Sequence, residues 1–327
     1  MNINLNISSF VNEPNFNSIS PDKIYDTLII GGGPAGLTAA VYCMRKGMKT
    51  ALVLKKAGGQ VAETASIENY PGYSYIDGND LTLKFREQVM QFGIDYAENV
   101  SAERIIQGNV KKTLLDNGSA VSSKSIIIAT GKKWKKLNIP GEERLINRGV
   151  AYCSICDGPL FAGKKVAVAG GGNSGVQAAI DLAKIASVVY LIQHRDRLKA
   201  DEILVNSLKK FSNVEYLLGH EIREIHGEKE VEKITVENLS GNSSFEIPLN
   251  GVFVEIGMIP NTGFLNDVLK LNAFNEIPVD HLCRTEAAGV FAAGDVTDVR
   301  YKQIIVAAGE GAKAALSAYD YINFEFV

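Results

Sequence analysis

The chain has 327 residues, 46% of them hydrophobic and 22% charged, with a net charge of −3. That length favours two compact domains, and the charge balance excludes the basic surface that nucleic acid or anionic lipid would require. No apolar run approaches the roughly 18 residues that span a bilayer, so a cytoplasmic protein without membrane association is expected.

The opening "MNINLNISSFVNEPNFNSIS" has neither the basic start nor the apolar middle of a secretion signal. Rich in Asn and Ser, residues 1–20 read as a loose N-terminal extension. The first organised stretch is "YDTLIIGGGPAGLTAAVYCMRKGMKTALVL". Tyr25 to Ile30 predicts a strand, Ala35 to Lys46 a helix and Thr50 to Leu54 a returning strand. Gly31, Gly33 and Gly36 give G-x-G-x-x-G between strand and helix. In that frame the glycines serve a tight turn, close approach of backbone to a pyrophosphate, and close packing of helix on sheet. The helix N-terminus presents free N–H groups to the phosphates. Cys43 falls mid-helix among apolar residues and reads as core.

Further on, "AYCSICDGPL" places Cys153 and Cys156 two residues apart, followed at once by Asp157. Half a zinc site, an exchanging disulfide and core filling are the alternatives. Zinc would need two further ligands, usually as another tight pair. His194, His220, His226 and His281 are scattered, and Cys43 and Cys283 are isolated. No metal is expected, and thiol–disulfide chemistry is the stronger reading for a reducing compartment. Asp157 suits a proton-handling role if burial raises its pKa, or else serves as a turn residue before Gly158.

The glycine pattern recurs in "KKVAVAGGGNSGVQAAIDLAKIASVVYLIQ" as Gly170, Gly172 and Gly175, with Asn173 and Ser174 inside it. Val176, Ala179, Ile180 and Ala183 have the helical spacing that would face a sheet. Two such turns in one chain imply electron transfer between two bound dinucleotides, with the cysteine pair just ahead of the second. Two further strands, Ile126 to Ile128 and Val290 to Ala293, end on glycine turns.

At this point the chain resembles a low-molecular-weight bacterial thioredoxin reductase, and its second half is similar to the flavoprotein subunit of alkyl hydroperoxide reductase. The resemblance covers about residues 24–325 and rests on "GGGPAG", "GGQ" at 58–60, "IENYPG" at 67–72, "ATG" at 129–131, "CSICDG", "GGGNSG", "IGMIPNT" at 256–262 and "FAAGDV" at 291–296. It implies an α/β fold of two Rossmann-like three-layer nucleotide-binding domains, one inserted in the other. The FAD-binding domain would comprise residues 21–135 and 264–327, and the second dinucleotide domain with its redox C-x-x-C would be 136–263.

Carried over residue by residue, the resemblance has Gly31, Gly33, Ala35 and Gly36 hold the FAD pyrophosphate. Gln60 and Asn69 would contact the flavin side, and Gly59, Ala129, Thr130 and Gly131 would belong to the same cofactor site. Asp295 would accept hydrogen bonds from the ribityl chain, with Gly294 also in the cofactor site, and Gln303 would sit by the flavin where a C-terminal helix begins. Cys156 would be the sulfur nearer the flavin, Cys153 its partner, and Asp157 the proton donor. Gly170, Gly172, Asn173, Ser174 and Gly175 would cradle NAD(P)H, with Gln193, His194 and Arg195 at its adenosine end. The acceptor would be a separate thioredoxin or thioredoxin-like protein, since no second C-x-x-C is present, and the assembly a homodimer.

The pattern departs from the family in "QHRDRLKAD". An NADPH site of this type carries more cations after the second βαβ unit, and an NADH site prefers an acid at the strand end. Gln193 is neither, and Lys55 replaces the acid of the first unit. The donor is therefore expected to be NAD(P)H, with NADH possible. The alternatives are ferredoxin or another protein donor, with a different dinucleotide such as a second FAD on the second turn, and a flavin redox sensor without turnover.

Overall fold

The computed structural model describes residues 17–64, 67, 69–241, 243–265 and 267–326. The chain divides into two compact units, residues 1–132 with 260–327, and residues 133–259. The second is thus inserted in the sequence of the first.

The first unit begins β1 (Ile24–Ile30), α1 (Pro34–Arg45), β2 (Thr50–Leu54), α2 (Gly78–Met90), β3 (Asp95–Glu98), β4 (Ala102–Ile106), β5 (Lys111–Leu115) and β6 (Ala120–Ile128). Its sheet runs β3-β2-β1-β6-β5-β4. The strands β3, β2, β1 and β6 are parallel, while β5 and β4 add antiparallel. β2 is buried along its whole length and β1 nearly so, as expected of parallel strands covered on both faces. Pro34 opens α1 one residue earlier than expected, because proline fixes φ and lacks only an N–H that the first turn does not use.

Most of the expected extension, residues 1–16, lies outside the described residues. Its end is not loose: Asn17 and Ser18 pair in parallel with Asp95 and Tyr96 at the sheet edge. There Asp95 accepts from Lys23 at 2.8 Å and from the Tyr25 hydroxyl at 2.6 Å.

The second unit contains β7 (Val150–Ala151), α3 (Ser154–Asp157), β8 (Lys165–Ala169), α4 (Asn173–Ala183), β9 (Val188–Gln193), α5 (Glu202–Leu208), β10 (Val214–Leu218), β11 (His220–His226), β12 (Lys233–Asn238), β13 (Ser243–Pro248) and β14 (Gly251–Val254). An all-parallel sheet runs β10-β9-β8-β14-β7. One face packs on α4 through Val176, Ala179, Ile180 and Ala183, the residues whose spacing predicted it. The antiparallel β11–β12–β13 sheet covers the other through Ile222, Ile225, Ile234 and Val236.

The chain then returns to the first unit with β15 (Val290–Ala292), which pairs with the end of β6, and α6 (Ile304–Asp320). The helices α1 and α6 share one core with Ile29, Leu52, Ile127 and Phe291 of the sheet. They cross so closely that a Cβ at Gly311 would fall 2.1 Å from the Ala35 carbonyl oxygen. Cys43 and Cys283 are free thiols, fully buried in this core.

Candidate active site

The first glycine turn links the end of β1 to α1. Gly31 has φ +126°, and a Cβ there would lie 2.1 Å from the carbonyl oxygen of Ala129, just past β6. A Cβ on Gly36 would lie 1.9 Å from the Gly31 carbonyl oxygen. Both positions are closed to any side chain by the protein itself. Gly33, the N-cap of α1, is different: a Cβ there would meet nothing within 4 Å, and no side chain caps the helix. The first-turn N–H groups therefore face a space bounded by glycine, which is what a pyrophosphate needs.

Around this turn the first unit gathers the other residues expected at a flavin. A Cβ on Gly59 would lie 3.6 Å from the Cα of Gly33, so the two glycines face each other closely. Gln60 donates to the Lys132 carbonyl at 2.9 Å, and Asn69 donates to the Gln303 side chain at 3.2 Å. Thr130 and Gly131 are tied to Asn261, the Thr130 hydroxyl donating to its carbonyl and the Asn261 amide returning to Thr130, both at 2.9 Å. Gly294 packs its Cα side against Ala35 and Ala307. Gln303 is the N-cap of α6 with no side-chain cap bond, so a second helix N-terminus opens at the same cluster.

Asp295 is half-buried and makes no side-chain hydrogen bond among the described residues. Burial raises its pKa, opposed by Lys302 and Lys132. An acceptor so placed fits a polyol, whose hydroxyls would replace the lost water. The supports behind it carry no motif in the sequence. Glu276 joins Lys132 at 3.1 Å and Lys302 at 3.0 Å, and Lys302 also donates to the Asp295 carbonyl. Glu310, buried in α6, accepts from the Gly294 N–H at 3.0 Å. Its only sequence signal was an acid inside the apolar stripe "IIVAAGEGAKAAL".

The second unit repeats the turn. Gly170 has φ +124°, and a Cβ there would lie 2.2 Å from the Glu255 carbonyl oxygen. A Cβ on Gly175 would lie 2.0 Å from the Gly170 carbonyl oxygen, and one on Gly172 would meet nothing within 4 Å. Asn173 exchanges hydrogen bonds with Asp201, donating to its carboxylate at 2.9 Å and accepting from its N–H at 2.7 Å. Gln193 is buried against Gly171, whereas His194 and Arg195 are exposed and bonded to each other at 3.3 Å.

β7 delivers the cysteine motif to this same sheet. Cys153 is disulfide-bonded and precedes α3, whose last residues are Cys156 and Asp157. The Asp157 N–H donates to the Cys153 carbonyl at 3.1 Å. Asp157 is partly buried and engaged by other groups. Just before, the Tyr152 hydroxyl donates to buried Glu142 at 2.8 Å, which also accepts from the N–H groups of Leu137 and Asn138. That carboxylate fixes the strand end that carries Cys153.

Comparison with known proteins agrees with this arrangement. The family model described as pyridine nucleotide-disulphide oxidoreductase matches residues 25–311. The F subunit of alkyl hydroperoxide reductase from Staphylococcus aureus is 47% identical over 299 residues, 91% of this chain and 59% of that protein. A protein named NADH dehydrogenase from Ferdinandcohnia aciditolerans is 43% identical over 94% of this chain and 60% of its own length. The chain thus spans about three fifths of the length of these curated relatives. Among solved structures, Lactococcus lactis thioredoxin reductase superposes with a TM-score of 0.84 at 37% identity, covering 91% of this chain and 99% of the other. With two glycine turns, a disulfide ahead of the second, and this match along both units, the chain belongs to the pyridine nucleotide-disulphide oxidoreductase family and has the thioredoxin reductase frame.

Proposed function

We propose that this chain is a flavin-dependent disulfide reductase that takes two electrons from a pyridine nucleotide and delivers them, through Cys153 and Cys156, to the disulfide of a thioredoxin-like protein. The observation that carries the reading is the duplication of the turn. Each copy has one glycine whose Cβ direction is open and two that are closed by backbone, the pattern expected where a pyrophosphate rather than a side chain completes the turn.

FAD, when bound, supplies stepwise acceptance and release of two electrons. The residues named for it are Gly31, Gly33, Ala35, Gly36, Asp295 and Gln303, with Gly59, Gln60, Asn69, Ala129, Thr130, Gly131 and Gly294 around them. Uncapped helix starts at Gly33 and Gln303 favour negative charge at both ends of that set. On the protein side, two electrons and two protons convert the disulfide to two thiols. One thiolate then attacks the acceptor disulfide, and the resulting mixed disulfide is resolved by the other, restoring the original bond. Asp157 holds the proton that the departing thiolate takes up. The acceptor class is consistent with relatives named as thioredoxin reductase and as the F subunit of alkyl hydroperoxide reductase. A homodimer is part of the proposal, and sedimentation of the purified chain checks it.

The test is an anaerobic titration with NADH followed by addition of an oxidised thioredoxin. Bleaching of a flavin spectrum and the appearance of two thiols per acceptor are expected. If reduced ferredoxin bleaches the flavin and NADH and NADPH do not, the nucleotide donor is replaced and the disulfide chemistry stays.

Donor preference follows from the β9 end. Gln193 places no charge beside a ribose 2′ position, and Arg195 is partly engaged by His194. NADH and NADPH are therefore expected to reduce the flavin with efficiencies within about tenfold of each other, about 1.4 kcal/mol. Gln193→Glu adds a repelling carboxylate and should shift the ratio toward NADH by about tenfold or more. An unchanged ratio in stopped-flow would place the adenosine elsewhere.

A further inference from the structure

The two turns are built alike except at one position. In the first unit Ala129 follows β6 and puts its carbonyl against Gly31; in the second Glu255 follows β14 and puts its carbonyl against Gly170. The strands are in matching register, Ile30 beside Ile128 and Ala169 beside Val254. The turn therefore needs only a backbone carbonyl there, and an alanine supplies it once. Glu255 adds a carboxyl on a residue only 7% exposed, beside the side chain of Ser174 in the first turn of α4. On its other side β7 pairs with β14, Phe253 beside Ala151, so Cys153 and Glu255 leave adjacent strands together.

We propose that Glu255 is a positioning residue of the second dinucleotide turn whose protonation state sets how tightly an anionic dinucleotide is held on α4, strongly when neutral and weakly when ionised. This rests on the reading that the second turn binds a dinucleotide. A pyrophosphate on the α4 N-terminus would share that turn with Ser174 and the Glu255 carboxyl beside it, and a buried negative charge there repels. Burial pushes the Glu255 carboxyl up to about 7, with Ser174 working the other way. Among the described residues no ion pair reaches Glu255, although Lys199 follows the same turn, its N–H donating to the Gly171 carbonyl at 2.7 Å, and Lys135 stands just past the strand end, its N–H donating to the Gly257 carbonyl at 2.9 Å. α3, packed on α4, carries Asp157; Asp201 reaches the same helix turn through Asn173; Glu142 is bonded to Tyr152 at the end of β7. Lys165 stands at the opposite end of β8, and Asp181 is in the last turn of α4. The imidazole of His194 follows β9, two strands from β14.

The experiment uses ADP-ribose on the FAD-loaded protein, because this probe has a pyrophosphate but no nicotinamide and no group of its own titrating between pH 6 and 8.5. Binding measured calorimetrically should weaken about tenfold over that interval, about 1.4 kcal/mol, and Glu255→Gln should flatten the profile while keeping His194. Ser174→Ala, which removes the hydroxyl that favours the ionised form, should move the break to higher pH. A second readout needs no ligand. A carboxyl whose folded pKa is raised contributes stability that is fully present below its unfolded value near 4.5 and lost as pH rises through about 7. Glu255→Gln should therefore unfold at a higher urea midpoint than the wild type at pH 8. A pH-independent affinity in the wild type, or a slope that survives in Glu255→Gln, overturns the inference and leaves the proposed function standing. No ADP-ribose binding at any pH, with NADH also inert, removes the dinucleotide reading of this turn and the inference with it.

Discussion

Gly33→Ala and Gly36→Ala are expected to lose FAD for opposite reasons, and the difference is measurable without the cofactor. The Cβ added at Gly33 meets no protein atom within 4 Å. Apo-protein stability should change by less than about 1 kcal/mol, the range of ordinary N-cap substitutions. The same methyl group intrudes on the space that the first-turn N–H groups of α1 face, so FAD affinity should fall at least about a hundredfold, about 2.7 kcal/mol. At Gly36 the Cβ would sit 1.9 Å from the Gly31 carbonyl oxygen, far inside contact distance, and the atom it meets is backbone. The helix must shift off the turn, and a loss of about 3 kcal/mol or more in apo stability is expected from such overpacking. Urea denaturation of the two apo-proteins separates the cases, and absorbance at the flavin band gives the cofactor content. A Gly33→Ala protein purified with full FAD would mean that the pyrophosphate does not lie on this turn.

The legible part of the fold was the part written in local rules. Both βαβ units could be read from apolar runs, three glycines and a helical stripe, and Val176, Ala179, Ile180 and Ala183 are buried as their spacing requires. Gly31, Gly33, Gly36 and their counterparts were named from a motif, but the motif does not say which glycine is closed by backbone and which is open. That distinction depends on Ala129 and Glu255, far away in sequence and brought to the turns by parallel pairing. Non-local pairing also explains the residues that were missed. Glu276 binds Lys132 and Lys302 from a loop, and Glu310 reaches Gly294 across a helix–sheet contact. Each is a charged residue whose partner no periodicity connects to it. Asn17 and Ser18 looked like loose chain because their composition is polar, yet an edge strand needs only backbone groups to join a sheet.

Cys153→Ser is expected to abolish reduction of a thioredoxin-like acceptor, by at least about a thousandfold, while leaving FAD content and reduction of a small artificial acceptor such as ferricyanide near wild type. The other two cysteines cannot take over its role. Cys43 is fully buried in α1, where burial pushes its thiol far up. Cys283 is fully buried, with its sulfur against the Glu310 carbonyl and burial raising it to about 11. At pH 8 a thiol with that pKa is ionised in only about one molecule in a thousand, and exchange proceeds through the thiolate. Neither can therefore substitute for the motif, even slowly. Cys156→Ser should lose acceptor turnover to the same degree, because a single thiol can form a mixed disulfide but cannot resolve it. A reduced Cys156→Ser protein should accordingly accumulate that covalent adduct with its acceptor, with Cys153 as the attached residue on mass spectrometry. Thiol counting on the native, anaerobically reduced wild type should find two fast thiols per chain. Retention of turnover in either serine variant would move the exchange chemistry away from this motif.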